Sequence, residues 1–513
     1  MIYLIGIITY LILLLLVGLY KVRSVKNSND FMLAGRTLPW YILVGTLLAT
    51  WMGSGSLFSG AGLGYRNGLA SLWSSGGAWL GIALIYFIAK RIRNIEKVTV
   101  PEIFELRYGK IAAIFSSLIT VIAYTTIVSY QFRGGGNVLA VISNGMISIQ
   151  SGIIITALFA ISYTAIAGMF SVVYTDVVNG ILMGIGILST LVFLVLQVGG
   201  LEEIINIANS VNKWQLFGNW HKERTGYVSG PIIAISFFVP TMLLLMGDAN
   251  MYQRIFSSKD SASAKKAVFF WIIGVIILES SVSMLGLTGY VATTKGIIPD
   301  IVAGAQESLV ERSPSAMLEA RQAGSESIIP TIARFAGLPL VLGVLLVSTM
   351  MAVIVSTADS FLLIPATNLT RDIYQRYVNK NSNERQLILI SRLFVLLFGV
   401  AALLLVSKLK TVLDAAYVAY NIYGTSITPA LLAAFIWRRA TACGAICSIL
   451  TGALVTIFCK FFLPKYEGFY NLPTLLQEPT FPAATLSISA LIIGSLMSNP
   501  TKKETLNKFF NES

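Results

Sequence analysis

Ser356, Thr357 and Ser360 stand at positions i, i+1 and i+4 in the run Val353-Ile354-Val355-Ser356-Thr357-Ala358-Asp359-Ser360. On a helix, Ser356 and Ser360 share one face and Thr357 lies beside them. Adjacent hydroxyl oxygens, joined by the open carbonyls of an interrupted helix, suit a hard cation such as sodium, which takes oxygen ligands and little else. The plainer use of such hydroxyls is to bond back to their own helix carbonyls. That use leaves the neighbouring Asp359 unexplained.

Other charged residues also fall inside apolar stretches: Arg133, Asp176, Asp248, Glu279, Asp359 and, nearer an end, Asp414. At membrane depth each costs a few kcal/mol unless it faces water, an ion or an opposite charge. Arg133, in Tyr130-Gln131-Phe132-Arg133-Gly134-Gly135-Gly136, reads as the one strong basic group of the core. Its guanidinium could clamp a substrate carboxylate, or it could pair internally with Asp248 or Asp176. The residues leave both readings open. Catalysis has less to work with: the single histidine, His221, sits in a polar stretch, and Cys443, Cys447 and Cys459 share one late apolar stretch with no acid or His beside them. No set of nucleophile, base and orienting group is visible, so the sequence argues against an enzyme.

The elements that must position these residues are membrane helices. Over 513 residues, 55% are hydrophobic and 12% charged, with a mean hydropathy of +0.76; a bilayer is the implied solvent. Stretches of roughly 20 apolar residues give about thirteen spans, centred near residues 11, 49, 80, 125, 158, 185, 238, 280, 352, 397, 424, 452 and 490. The first lacks a basic leader and a small-residue cleavage site, so it reads as a retained helix. With the N-terminus outside and the C-terminus cytoplasmic, most Lys and Arg fall on the cytoplasmic side, notably Lys90 to Arg93, Arg254 to Lys266, Arg371 to Arg392 and Arg438-Arg439. The net charge of +13 is then largely this bias, and no nucleic-acid partner is needed.

Two helices are interrupted at matching places. Ala49-Thr50-Trp51-Met52-Gly53-Ser54-Gly55-Ser56 puts small and polar residues where Leu is expected, and Met246-Gly247-Asp248-Ala249-Asn250 does so again. They open two consecutive groups of five spans, residues 39–199 and 229–437. Five is odd, so the second group enters from the opposite side as an inverted repeat. Two Gly-interrupted segments in register point to a midplane binding site; tight helix packing is the plainer use of one alone. Residues 1–38 add an extra helix and a cytoplasmic loop, 200–228 and 293–337 are polar external loops, the second long enough to hold a short helix, and 438–513 add two helices and a short tail.

The run Ser356 to Tyr374, STADSFLLIPATNLTRDIY, resembles the corresponding helix of the sodium:solute symporter family. Three other pieces are similar to the family: Tyr174-Thr175-Asp176-Val177-Val178 after Gly168-Met169; Gln253-Arg254 followed by Ser257-Ser258-Lys259; and Phe31 to Arg36 before Leu38-Pro39-Trp40. The resemblance covers about residues 30 to 440 and implies an all-α polytopic fold of thirteen helices with a 5+5 inverted repeat and a discontinuous first helix in each repeat. It implies Na+ as the coupling ion, at a site formed by Ala49, Met52, Val353, Ser356 and Thr357. A second sodium site, found in some members, would fall on Asp176, Ser356, Asp359 and Ser360, with an acid at Asp359 where a hydroxyl is expected. By position in similar transporters, Ser54, Ser56, Ser74, Ser75, Asp248 and Asn421 become substrate candidates, with Arg133 as the anion clamp.

The expectation is therefore a sodium-coupled symporter of a small organic solute, one that could bear a carboxylate. It would sit in a lipid bilayer, the inner membrane of a prokaryote by residue usage, without an obligate protein partner. Proton coupling through Asp176, Asp248 or Asp359 is the alternative within transport. A channel or a non-transporting solute sensor is the alternative from another class, although a sensor usually carries a signalling domain and the tail after Asn499 is short for one.

Overall fold

The computed structural model describes residues 2–22, 32–218, 221–222, 226–227, 230–302, 314–408, 411–466 and 468–510, so Phe31 of the loop motif lies outside the described residues. Helix α1 (Ile2–Val22) precedes the first interrupted helix, made of α2 (Trp40–Trp51) and α3 (Gly60–Asn67). Helices α4 (Leu72–Asn94), α5 (Val100–Tyr108), α6 (Lys110–Ile142) and α7 (Ile149–Gln197) follow. Gly168 divides α7 with a φ of 64°, a left-handed conformation that glycine adopts at little cost, and so makes two membrane segments of it.

A short α8 (Leu201–Ser210) and a two-residue antiparallel pairing of β1 (His221–Lys222) with β2 (Gly226–Tyr227) lead to the second interrupted helix, α9 (Gly230–Gly247) and α10 (Ala249–Phe256). Helix α11 (Ser261–Thr294) comes next, then the short α12 (Pro314–Ser325) and α13 (Ile328–Phe335) in the second polar loop. After them come α14 (Leu340–Asn368), α15 (Glu384–Val406) and the pair α16 (Val412–Ser426) and α17 (Thr428–Ile436). The order is completed by α18 (Ala442–Ile457), α19 (Thr474–Gln477), α20 (Thr480–Met497) and α21 (Lys503–Phe510).

Among the described residues, ten segments are long and apolar enough to cross a membrane, and Ile2–Val17 and Trp40–Trp51 are shorter apolar helices. Each expected centre lies in a helix, so the all-α polytopic reading holds. Phe87, Val192, Leu404 and Leu454 stand exposed while Asp176, Asp248 and Arg254 are buried, which is stable only where the surroundings are lipid.

Two of the sequence motifs meet at one end of the bundle. The Leu38 amide donates to the Ser257 carbonyl at 3.1 Å, the Lys259 amide donates back to the Leu38 carbonyl at 3.0 Å, and Gln253 Nε2 donates to the Met32 carbonyl at 2.8 Å. Arg254, which the charge pattern places in a cytoplasmic segment, is fully buried, its guanidinium facing the bundle core.

Candidate functional site

At the first interruption the helix ladder fails at identifiable carbonyls. Met52 leaves helical geometry (φ −74°, ψ 86°), the Gly53 amide turns to the Trp51 carbonyl at 2.9 Å, and the Ser54 amide turns to Gln131 Oε1 at 2.8 Å. The carbonyls of Ala49 and Thr50 thereby lose the amides that would serve them in a continuous helix, and buried carbonyls need another partner. Helix α14 supplies oxygen. Ser356 Oγ lies 3.3 Å from the Ala49 carbonyl, and Thr357 Oγ1 lies 3.4 Å from those of Ala49 and Thr50 and 3.3 Å from that of Met52. Val353 is buried one turn before Thr357 on the same helix.

These separations exceed the usual 2.7–2.8 Å of a hydroxyl hydrogen bond, and one Thr357 proton cannot serve three carbonyls. They match the spacing of neighbouring oxygens around a cation whose ligands stand at about 2.4 Å, which in octahedral array are about 3.4 Å apart. Ser356 adds to this: it lies 2.6 Å from Asp176 Oδ1, to which its hydroxyl donates, so its lone pairs are turned to the cluster.

Beside this cluster, Asp176 accepts from Thr46 Oγ1 at 2.6 Å and pairs with Arg254 Nη2 at 3.1 Å, both charged side chains being fully buried. Arg254 Nη2 also donates to Ser360 Oγ at 2.7 Å, and its Nε donates to Thr46 Oγ1 at 2.9 Å. Asp359 points elsewhere and accepts from Thr164 Oγ1 at 2.6 Å.

The second interruption is closed by protein groups. Asp248 caps α10 by accepting from the Asn250 amide at 2.8 Å and from the Tyr124 hydroxyl at 2.7 Å. The freed carbonyls of Gly247 and Met246 accept from Tyr423 and Tyr252 at 2.9 and 3.2 Å, and Thr428 donates to the Leu243 carbonyl in the last turn of α9 at 2.6 Å.

Between the interrupted helices lies a narrow central cavity of about 20 Å³, lined by Trp51, Ser56, Ser59, Ser74, Ser75, Thr241, Glu279, Tyr417 and Tyr420 among others. Glu279, on α11, accepts from the indoles of Trp51 at 2.8 Å and Trp79 at 2.9 Å. Ser74 shares a hydrogen bond with the Tyr417 hydroxyl at 2.7 Å.

The profile of the sodium:solute symporter family matches residues 31–452. The chain belongs to that family. This symporter is 26% identical to the osmoregulated proline transporter OpuE of Bacillus subtilis over 511 residues, covering 98% of this chain and 96% of that protein. It is equally 26% identical to the sodium/glucose cotransporter of Vibrio parahaemolyticus over 480 residues, covering 88% and 84%. Among solved structures, a Na+-coupled sialic acid symporter in a substrate-bound outward-open state superposes with a TM-score of 0.77 at 19% identity over 98% of both chains, which shows a common fold. The symporter is thus a multi-pass membrane transporter that couples a small solute to sodium, and not an enzyme.

The structure sorts this symporter's expected solute residues into two groups. Ser56, Ser74 and Ser75 line the central cavity. Ser54, Arg133, Asp248 and Asn421 do not. Ser54 packs against Gly134, where a Cβ would lie 2.3 Å from Ser54 Oγ, and Asn421 lines a neighbouring cavity of about 260 Å³ that shares Leu413 and Tyr417 with the central one, where Thr480 donates to it. Arg133 lines a third cavity of about 480 Å³ with Glu326 and donates to the Val406 carbonyl at 3.4 Å. The basic residue paired with Asp176 is Arg254, not Arg133. In the sequence Glu279 is an intramembrane charge with no visible role. Its only signal was an acid on an apolar helix, and its indole partners are 228 and 200 residues away in the chain.

Proposed function

We propose that the chain imports a small organic solute by alternating access, with sodium held by the carbonyls of Ala49, Met52 and Val353 and the hydroxyls of Ser356 and Thr357. The observation that supports this reading best is the set of 3.3–3.4 Å separations between α14 hydroxyls and the opened carbonyls of the first interruption. An ion there ties the first interrupted helix to α14 and favours the conformation that accepts solute; coupling is this shared preference. We place the N-terminus outside and the C-terminus in the cytoplasm of a prokaryotic inner membrane, so that an inside-negative potential favours entry by about 2.3 kcal/mol per charge per 100 mV.

We infer one sodium ion per cycle. At the second expected site Arg254 already brings positive charge to Asp176 and Ser360, and Asp359 is turned to Thr164. A second cation there would meet a guanidinium at close range.

The relatives are named for proline and glucose, so uptake of both labelled solutes into proteoliposomes is the starting assay. An imposed sodium gradient should drive accumulation with a hyperbolic sodium dependence. Ser356→Ala with Thr357→Ala should raise the half-saturating sodium concentration about tenfold or more, a loss of about 1.4 kcal/mol. Accumulation driven by a pH gradient in sodium-free buffer would instead put proton coupling first, and sigmoidal sodium dependence would count against a single ion.

A further inference from the structure

We propose that the solute taken by the central cavity carries a positively charged nitrogen, as an amine, amino acid or betaine does, and that Glu279 is the residue that selects it. The inference rests on the proposed symport function and takes as its solute site the cavity between the interrupted helices, lined by Ser56, Ser74 and Ser75. Glu279 is 5% exposed and sits on the cavity wall. Its two oxygens are held by neutral donors: Oε1 accepts from Trp51 Nε1 at 2.8 Å and lies 3.4 Å from Ser56 Oγ, and Oε2 accepts from Trp79 Nε1 at 2.9 Å. An indole N–H can only donate, so both oxygens of Glu279 are held as acceptors. Among the described residues no Lys or Arg forms an ion pair with Glu279, whereas Asp176 has Arg254. Asp248 and Asp359, also buried without a paired base, are not among the residues that line this cavity.

The rest of the wall has the same polarity. Trp51, Tyr417 and Tyr420 all line the cavity, Trp51 and Tyr420 with ring centroids 6.5 Å apart at 29° and Tyr417 5.6 Å from Tyr420, and aromatic rings are the neutral side chains that attract cations. Ser59 Oγ, buried on the same wall, has no hydrogen-bond partner among the described residues. Among the described residues no basic side chain lines the cavity. A solute with only negative charge would meet the Glu279 carboxyl with nothing to offset the repulsion, and a neutral polyol would bring that buried acid no counter-charge; a positive nitrogen supplies one whether or not the solute also carries a carboxylate.

The test uses the purified full-length protein in NaCl and compares ligands that differ only in the charged nitrogen: L-proline against cyclopentanecarboxylate, and choline against 3,3-dimethylbutan-1-ol, with D-glucose as a neutral polyol. The expected result is that at least one ammonium compound raises the melting temperature and its uncharged-carbon counterpart does not. Glu279→Gln should weaken that binding about tenfold or more, while the stabilisation by NaCl over KCl without solute is retained, which shows the variant is folded. The proposal is overturned if a counterpart or glucose binds as well as the ammonium compound, if no ammonium compound binds while NaCl still stabilises, or if the folded variant binds undiminished. Loss of the NaCl effect in the unaltered protein is a different failure and sinks the sodium reading itself.

Discussion

Arg254 and Asp176 meet at 3.1 Å with both side chains fully buried, and Thr46, Ser356, Ser360, Thr50 and Asn250 hydrogen-bond to them as well. Such a pair need not stabilise the fold relative to an apolar replacement, but removing one member strands the other. Asp176→Ala should therefore lower stability by about 3 kcal/mol or more, read as a fall in melting temperature in detergent. A smaller fall for Asp176→Asn is expected, because the amide keeps a hydrogen bond to the guanidinium. Ser356, Thr357 and their acid neighbours were legible in the sequence because i, i+4 spacing sets which residues share a face. Arg254 was not: a basic residue two positions before Phe256 reads as a helix flank, and only the interruption at Asp248 turns α10 inward.

At the scale of elements, α3 and α11 cross with almost no room between backbones. A Cβ on Gly64 would lie 2.2 Å from the Ser283 carbonyl oxygen, and one on Gly286 would lie 2.0 Å from that of Ala61. Backbone atoms cannot yield as a flexible side chain does. Gly286→Ala should cost about 1–3 kcal/mol by overpacking and impair transport beyond its effect on stability, since α3 continues the first interrupted helix and α11 carries Glu279. Reduced uptake per folded molecule would check this. The two interruptions could be placed from Gly53 and from Gly247-Asp248, since small and polar residues at membrane depth have few other uses. What each break does could not be read. One has its carbonyls taken by Tyr423 and Tyr252, while the other leaves them to Ser356 and Thr357, and that difference depends on how α14 and α16 are rotated against the breaks. The same rotational freedom explains why Arg133 and Asn421 were expected in the central cavity and lie beside other cavities.

Over the whole molecule, Glu326 links the second polar loop to the start of α16, accepting from the amides of Val412 at 3.0 Å and Leu413 at 2.9 Å. Burial raises its carboxyl from the ordinary 4.5 to about 7, against the lowering effect of those amides and of the Arg66 and Arg133 charges. The folded protein then holds a proton that the unfolded chain releases between these two values. Stability should fall as pH rises from 4.5 to about 7 and level off above it. Melting temperatures across that window should show this slope, and Glu326→Gln should flatten it.

Symport as proposed requires sodium bound between the first interruption and α14, and the most direct measurement of it is the melting temperature of the purified protein titrated with NaCl or KCl, without solute. Because a ligand of the folded state stabilises it by mass action, NaCl should raise the melting temperature more than KCl at equal ionic strength, and Ser356→Ala with Thr357→Ala should abolish the difference. Equal effects of the two salts on the unaltered protein, or a sodium-specific rise that survives the double substitution, would contradict it.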